Sequence, residues 1–345
     1  MAIITLSSGR SFEAAEGVSL LEAALQAQVL LPYSCRTGRC SSCKCRVLSG
    51  DSVALQPELG LTSQEKEAGW VLGCVRAAQG PMTLQVEDLG GVVLPPARTL
   101  PCRIQALLRL APDVMQVQLR LPPTADFTFL PGQYIDVIAP GGERRSYSLA
   151  AASTAEKTLL LQVRAVPGGA MSRYWFEQAR PNDLLRLNGP LGTFFLRPLA
   201  GLDLVFLATG TGIAPVKAML EGLAAAAPAR GPAEAPRSIT TYWGGRTPPD
   251  LYWDAASLAA CGEVPHRFVP VLSRADATWA GARGHVQDVF MAEDPRLARS
   301  VVYACGSPAM IETARAQLLR AGLPEHRFHA DAFVCSASVP QANKG

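Results

Sequence analysis

Histidine is scarce in this chain, with four in 345 residues and none before His266. That excludes a Rieske-type iron–sulfur centre ahead of His266, since such a centre needs two imidazole donors. It also favours chemistry without a histidine acid or base. Charge of one sign is equally scarce. Thirty-two basic residues against 29 acidic ones leave a net +3, too small and too evenly mixed to mark a nucleic-acid surface or a polybasic membrane patch. No apolar run reaches the ~20 residues that span a bilayer; Leu20–Leu31 and Leu202–Ala208 are too short or too interrupted. The N-terminus lacks a basic start followed by an apolar core and a cleavage site, so a cytoplasmic location is expected. Repeats of fixed period are absent too.

Cysteine is what stands out. The chain has nine, and four of them fall between Cys35 and Cys45. An odd count without a secretion signal speaks against a disulfide framework. A single Cys-x2-Cys speaks against structural zinc, which would want two such pairs. The spacing Cys35-x4-Cys40-x2-Cys43, with Cys74 further on, instead matches the plant-type [2Fe–2S] pattern. Ser34, Gly38, Ser41 and Ser42 leave the backbone free to wrap a cluster and turn its amides toward the sulfurs. Cys45 is one sulfur too many and reads as a small packed strand residue, as do Cys102, Cys261 and Cys335.

Periodicity divides the rest into three units. Ile3–Leu6 and Ser11–Phe12 bracket a turn at Gly9, Ser19 and Glu22 have capping-box spacing before a helix to about Ala27, and Pro81–Val86 reads as a closing strand. Residues 1–90 thus fit a β-grasp ferredoxin domain, and 91–101, with adjacent prolines, a linker. Residues 102–199 carry short alternating strands, among them Met115–Leu121 and Leu159–Val163, which suggest an antiparallel β-barrel. From 200 to 334, apolar runs at Leu204–Ala208, Ile239–Trp243, Phe268–Leu272 and Val301–Ala304 alternate with helical segments, as in a parallel α/β dinucleotide-binding domain. Residues 335–345 form a tail. The fold class is therefore multidomain, α+β followed by α/β.

Several motifs carry chemistry. Arg145-Ser146-Tyr147-Ser148 ends the strand run that begins near Tyr134, and offers a cation for a pyrophosphate, an aromatic face and a hydroxyl for a flavin ring. Gly168-Gly169-Ala170-Met171-Ser172 precedes a helix expected over Arg173–Gln178, whose free amides suit the FAD pyrophosphate. Thr209-Gly210-Thr211-Gly212 follows a buried strand and opens a helix, with Pro215 where a full dinucleotide fingerprint has its third glycine. In Tyr303-Ala-Cys-Gly-Ser-Pro308, Ser307 and Pro308 begin a helix. Cys305 and Gly306 therefore lie at a strand's C-terminal end, where such sheets bind ligands. Cys305 is equally readable as a buried small residue, Phe333 as a core aromatic, and Arg246 and Arg274 as surface charge.

In this order the motifs resemble the ferredoxin–NADP⁺ reductase superfamily, in its members with an N-terminal plant-type ferredoxin domain, over residues 3–334. The resemblance implies a [2Fe–2S] cluster on Cys35, Cys40, Cys43 and Cys74. It implies FAD at Arg145, Ser146, Tyr147 and Ser148, with Gly169, Met171 and Ser172 at its pyrophosphate. A dinucleotide would lie on Thr209–Gly212 and Arg246, with Cys305 and Gly306 beside the nicotinamide and Phe333 covering the flavin. Ser148, Cys305 and Phe333 would then be catalytic. Electrons would pass from nicotinamide to FAD to cluster to a partner protein, either an iron–sulfur dehydrase of 3,6-dideoxysugar synthesis or an oxygenase component. NADH is the expected donor. NADPH stays open, because no acidic residue ends Ile239–Trp243 and Ser273-Arg274 resembles a 2′-phosphate-binding pair, though the lysine and tyrosine that usually accompany it are missing. A non-enzymatic iron–sulfur carrier is the reading from another class.

Overall fold

A computed structural model describes residues 1–152, 156–229, 231–254 and 264–334; Cys261, Cys335 and the tail lie outside these residues. In the N-terminal unit, β1 (Ala2–Leu6) and β2 (Ser11–Ala14) form the hairpin expected at Gly9. Alternation places Ile4 and Leu6 in the core and leaves Ile3 56% exposed. Helix α1 (Leu20–Gln26) starts where Ser19 Oγ accepts from the Glu22 amide at 3.2 Å. The reciprocal half of the capping box is not made there, because the Glu22 carboxylate accepts from Arg36 Nη2 at 2.6 Å. Next come β3 (Lys44–Ser49), β4 (Ser52–Ala54), α2 (Ser63–Glu67), β5 (Trp70–Leu72), β6 (Arg76–Ala78) and β7 (Met82–Gln85). The main sheet has the order β2-β1-β7-β3-β5, with β7 parallel to β1. A complete capping box opens α2 instead, between Thr62 and Glu65.

The barrel comprises β8 (Arg98–Ala111), β9 (Val114–Arg120), β10 (Tyr134–Ile138), β11 (Arg144–Ser148), β12 (Thr158–Arg164), α3 (Ala170–Arg173) and β13 (Leu184–Leu191). Its order is β11-β10-β13-β8-β9-β12, and a bridge between Leu149 and Leu161 closes it. Strand β8 takes residues 98–101 from the expected linker. Arg98 and Thr99 pair with Gly189 and Asn188 of β13, so these residues are sheet and the spacer ends before them.

The third unit contains β14 (Asp203–Thr209), α4 (Ile213–Ala226), β15 (Ser238–Gly245), β16 (His266–Leu272), β17 (Ala282–Arg283), α5 (Val286–Ala292), β18 (Ser300–Gly306), α6 (Pro308–Arg320) and β19 (Phe328–Ala332). Its strands run parallel in the order β17-β16-β15-β14-β18-β19. The uninterrupted apolar run of β14 follows from burial on both faces. Val205 and Leu207 pack toward α5 and α6, while Leu204, Phe206 and Ala208 pack toward α4. Pro308 begins α6 as expected, but the Ser307 hydroxyl does not cap it. Among the described residues no helix is long and apolar enough to cross a membrane.

Candidate functional site

The loop between α1 and β3 gathers the cysteines. Arg36, Gly38 and Ser41 have positive φ (57°, 73° and 62°), which turns successive amides inward as in an anion nest. Thr37 donates its amide to Cys35 Sγ at 3.4 Å, and Cys35 donates its own to Cys40 Sγ at 3.3 Å. A Cβ on Gly38 would stand 2.7 Å from the Pro57 carbonyl oxygen, so only glycine fits that turn.

The four thiols form two pairs. Cys35 is drawn down to about 5 by the Cys40 thiol and the Thr37 hydroxyl and amide, and Cys74 is drawn down by the Cys43 thiol. Cys40 and Cys43, hydrogen-bonded to these partners and buried, are pushed up. A [2Fe–2S] cluster would take these four sulfurs as its ligands. Among the described residues no three metal-ligating side chains converge as a single ion would need. Cys45 is separate: 2% exposed, its Sγ 3.8 Å from the Val71 carbonyl oxygen, its thiol pushed up to about 12 by burial.

On β11, Arg145 and Tyr147 share one side by strand alternation and Ser146 and Ser148 the other. Tyr147 is packed edge-on to Trp175 and accepts its indole N–H at 3.0 Å; burial pushes the phenol up to about 12. Ser146 donates to Asp136 Oδ1 at 2.5 Å, so its hydroxyl is engaged within the sheet. Ser148 is 8% exposed at the end of β11, and does not share the Arg145–Tyr147 side.

Helix α3 begins at Ala170, three residues before the expected start, with Gly169 as its N-cap. The Met171 side chain is 3% exposed in the barrel core, which leaves its backbone as the part able to meet a ligand. Ser172 Oγ accepts from the Val166 amide at 2.8 Å and keeps its hydroxyl proton to donate. Beside this turn is a cavity of about 370 Å³ lined by Ala139–Gly141, Glu143, Met171, Arg173 and Tyr174, among others. The described residues thus offer an aromatic side with a cation at β11, a hydroxyl and amides at α3, and a cavity beside α3.

In the third unit the glycines interlock two strand ends. A Cβ on Gly212 would stand 2.3 Å from the Cys305 carbonyl oxygen, and one on Gly306 (φ +120°) 2.5 Å from the Thr209 carbonyl oxygen. Thr209 Oγ1 accepts the Ser307 amide at 2.9 Å, and the Gly210 carbonyl accepts Trp243 Nε1 at 2.9 Å. Gly212 therefore serves the close approach of the turn after β14 to the end of β18, in addition to any pyrophosphate. A Gly212→Ala variant is expected to lose about 1–3 kcal/mol of stability, measurable by thermal denaturation. Thr211 is 8% exposed and Cys305 fully buried, with its thiol pushed well up by burial. Phe333 packs against the same core and donates its amide to the Gly306 carbonyl at 2.8 Å. Arg246 is exposed at the end of β15, beside Arg274, whose amide donates to the Arg246 carbonyl at 2.9 Å.

The structure also brings together residues that sequence reasoning missed. Asp331 of β19 accepts the Ser34 hydroxyl at 2.5 Å, and the Tyr134 hydroxyl donates to the Ser34 carbonyl at 2.6 Å. Burial raises the Asp331 carboxyl to about 6, against the lowering effect of Ser34. Tyr33 donates its amide to Thr193 Oγ1 at 2.8 Å, and Ser42 donates to the Ala330 carbonyl at 3.2 Å. Arg164 of β12 bonds Asp113 at 2.7 Å and pairs with Asp250, joining the barrel to the dinucleotide unit beside Gly210. No short-range signal flags these contacts, because each joins residues far apart in the chain.

Comparison with known proteins agrees with this geometry. Residues 4–79 match the 2Fe-2S iron-sulfur cluster binding domain, 101–196 the oxidoreductase FAD-binding domain and 206–316 the oxidoreductase NAD-binding domain. The CDP-6-deoxy-L-threo-D-glycero-4-hexulose-3-dehydrase reductase of Yersinia pestis is 38% identical over 329 residues, 95% of this chain and 97% of that one. The chain belongs to the NAD-linked flavin and iron–sulfur reductases. Within this family, terephthalate 1,2-dioxygenase reductase component 1 of Comamonas is 32% identical, over 94% of this chain and 95% of its own length. The solved cytochrome P450 reductase GcoB of Amycolatopsis superposes with a TM-score of 0.74 at 31% identity, covering 98% of this chain and all of the other. As a member of the family the chain is an oxidoreductase that uses FAD, a [2Fe–2S] cluster and a nicotinamide dinucleotide.

Proposed function

We propose that this reductase draws a hydride from NADH and sends the electrons through a cluster on Cys35, Cys40, Cys43 and Cys74 to the iron–sulfur dehydrase of CDP-6-deoxyhexose synthesis. When bound, FAD accepts an electron pair and releases it singly, which is the conversion a one-electron carrier requires. The observation that carries the path is the seating of the cysteine loop against both other units, through Tyr134 of β10 and Asp331 of β19. The choice of acceptor rests on the relative from Yersinia pestis.

In this reading Arg145 neutralises the flavin pyrophosphate and Tyr147, fixed by Trp175, supplies an aromatic wall. Ser148 offers a hydroxyl at the strand end, and Ser172 donates to a phosphate oxygen beside Gly169, whose own amide is held by the Val166 carbonyl at 3.0 Å. Thr209–Gly212 and Gly306 shape the dinucleotide site, Cys305 holds a neutral thiol beside the nicotinamide, and Phe333 excludes water until the nicotinamide enters. Cluster ligands must stay reduced, which fits a cytoplasmic location.

Reconstitution tests the acceptor. NADH-driven 3-deoxygenation with the dehydrase supports the proposal, whereas turnover with an oxygenase alone favours the second reading, which the Comamonas relative keeps in view. The backbone contact between Arg246 and Arg274 also bears on donor choice, since two arginines at adjoining positions of the sheet's carboxyl end suit a 2′-phosphate. Arg274→Ala is expected to raise KM for NADPH about tenfold, as loss of a charged hydrogen bond would, and to leave KM for NADH unchanged. Steady-state kinetics with both nucleotides checks this.

A further inference from the structure

We infer that Ser34 is a positioning residue, a clasp that fixes the cysteine loop between the flavin barrel and the last strand of the dinucleotide unit. Ser34 is 7% exposed and immediately precedes Cys35. Its two polar groups are taken by different units: Tyr134 of the barrel donates to its carbonyl at 2.6 Å, and its hydroxyl donates to Asp331 of β19 at 2.5 Å. Asp331 is itself 4% exposed, so breaking either bond would leave a buried polar group unpaired.

Neighbouring contacts repeat the arrangement. Tyr33 and Thr193 exchange backbone and side-chain bonds at 2.8–3.1 Å on the barrel side, and Ser42 reaches the Ala330 carbonyl on the β19 side. Cys35 and Cys40 consequently pack with the core of the dinucleotide unit, while Cys43 and Cys74 pack with the ferredoxin core. Strand β19 leads directly to Phe333, which is held to Gly306. One strand end therefore ties the aromatic over the expected flavin site to the loop that receives its electrons.

The inference rests on the electron path proposed above. Electron transfer between fixed centres slows steeply as the gap widens, so a loosened clasp slows that step and leaves hydride transfer alone. The test uses the reconstituted holoprotein as wild type, Ser34→Ala and Asp331→Asn, the last of which keeps an oxygen acceptor for Ser34. Anaerobic stopped-flow absorbance follows flavin and cluster reduction by NADH separately, and hydrogen exchange reports the amides of residues 33–36 and 330–333.

Ser34→Ala is expected to reduce its flavin at the wild-type rate, slow cluster reduction about tenfold and exchange residues 33–36 faster. Residues 330–333, held in register with β18, exchange as in wild type, and Asp331→Asn stays close to wild type. Wild-type cluster reduction and unchanged exchange in Ser34→Ala would overturn the inference. So would loss of the cluster from Ser34→Ala, because a clasp that only positions leaves the four sulfurs in place. If the wild-type cluster itself stays oxidised with NADH, the proposed electron path fails, an outcome distinct from failure of the clasp.

Discussion

A Cys74→Ser variant is expected to retain NADH-driven reduction of ferricyanide through its flavin and to drop acceptor turnover to the level of the acceptor alone. Cys74 sits on the single turn Gly73–Val75, brought to the loop by the Gly73 amide donating to the Cys43 carbonyl at 3.0 Å. A serine there fits the space but has a hydroxyl far harder to ionise than a thiol, so one iron would lose half of its protein ligands. The visible absorbance and reduced-state EPR signal of the cluster should vanish. Cys45→Ser supplies the control. Cys45 packs in the ferredoxin core and bonds weakly to Val71, so the variant should keep its cluster at a stability cost of about 1 kcal/mol. A cluster lost from Cys45→Ser and kept in Cys74→Ser would reverse the ligand assignment.

Cys305→Ala is expected to slow flavin reduction by NADH about 10²-fold, as misplacement near a reacting centre does, with FAD content unchanged. Cys305 pairs in register with Ala208 on one side and Asp331 on the other, and its carbonyl lies under Gly212. It is the meeting point of β14, β18 and β19, the three strand ends that bound the proposed nicotinamide site. Because burial keeps it a neutral thiol, its contribution is shape and a weak S–H donor instead of nucleophilic attack. A cysteine that merely packed would, on truncation, lower the melting temperature and leave the single-turnover rate untouched. Stopped-flow flavin reduction beside thermal denaturation separates these outcomes.

The parts of the molecule readable in advance were those whose physics is local. Ligation of a small cluster confines Cys35, Cys40 and Cys43 to one short loop, so their spacing alone carries the signal. Burial on one face forces alternation in β9 and β12, and burial on both faces forces the continuous run of β14. What escaped notice depends on tertiary contact. Ser34 and Asp331 are ordinary in their own neighbourhoods and acquire meaning only when two units fold onto the loop. Glu22 has capping-box spacing, yet Arg36 from the cysteine loop claims its carboxylate. Met171 sits in a phosphate-type turn, yet its side chain is taken into the barrel core. Ser307 has the composition of an N-cap, but its amide is held by Thr209 and its hydroxyl does not cap the helix.

The most direct test of the account is anaerobic titration of the iron-, sulfide- and flavin-replete protein with NADH, followed by absorbance and EPR. The arrangement of the cysteine loop against β10 and β19 predicts that flavin and cluster absorbance both bleach and that the reduced-cluster signal rises. Bleaching of neither chromophore by NADH, nor by NADPH in a parallel titration, would contradict the proposed path from nicotinamide to cluster.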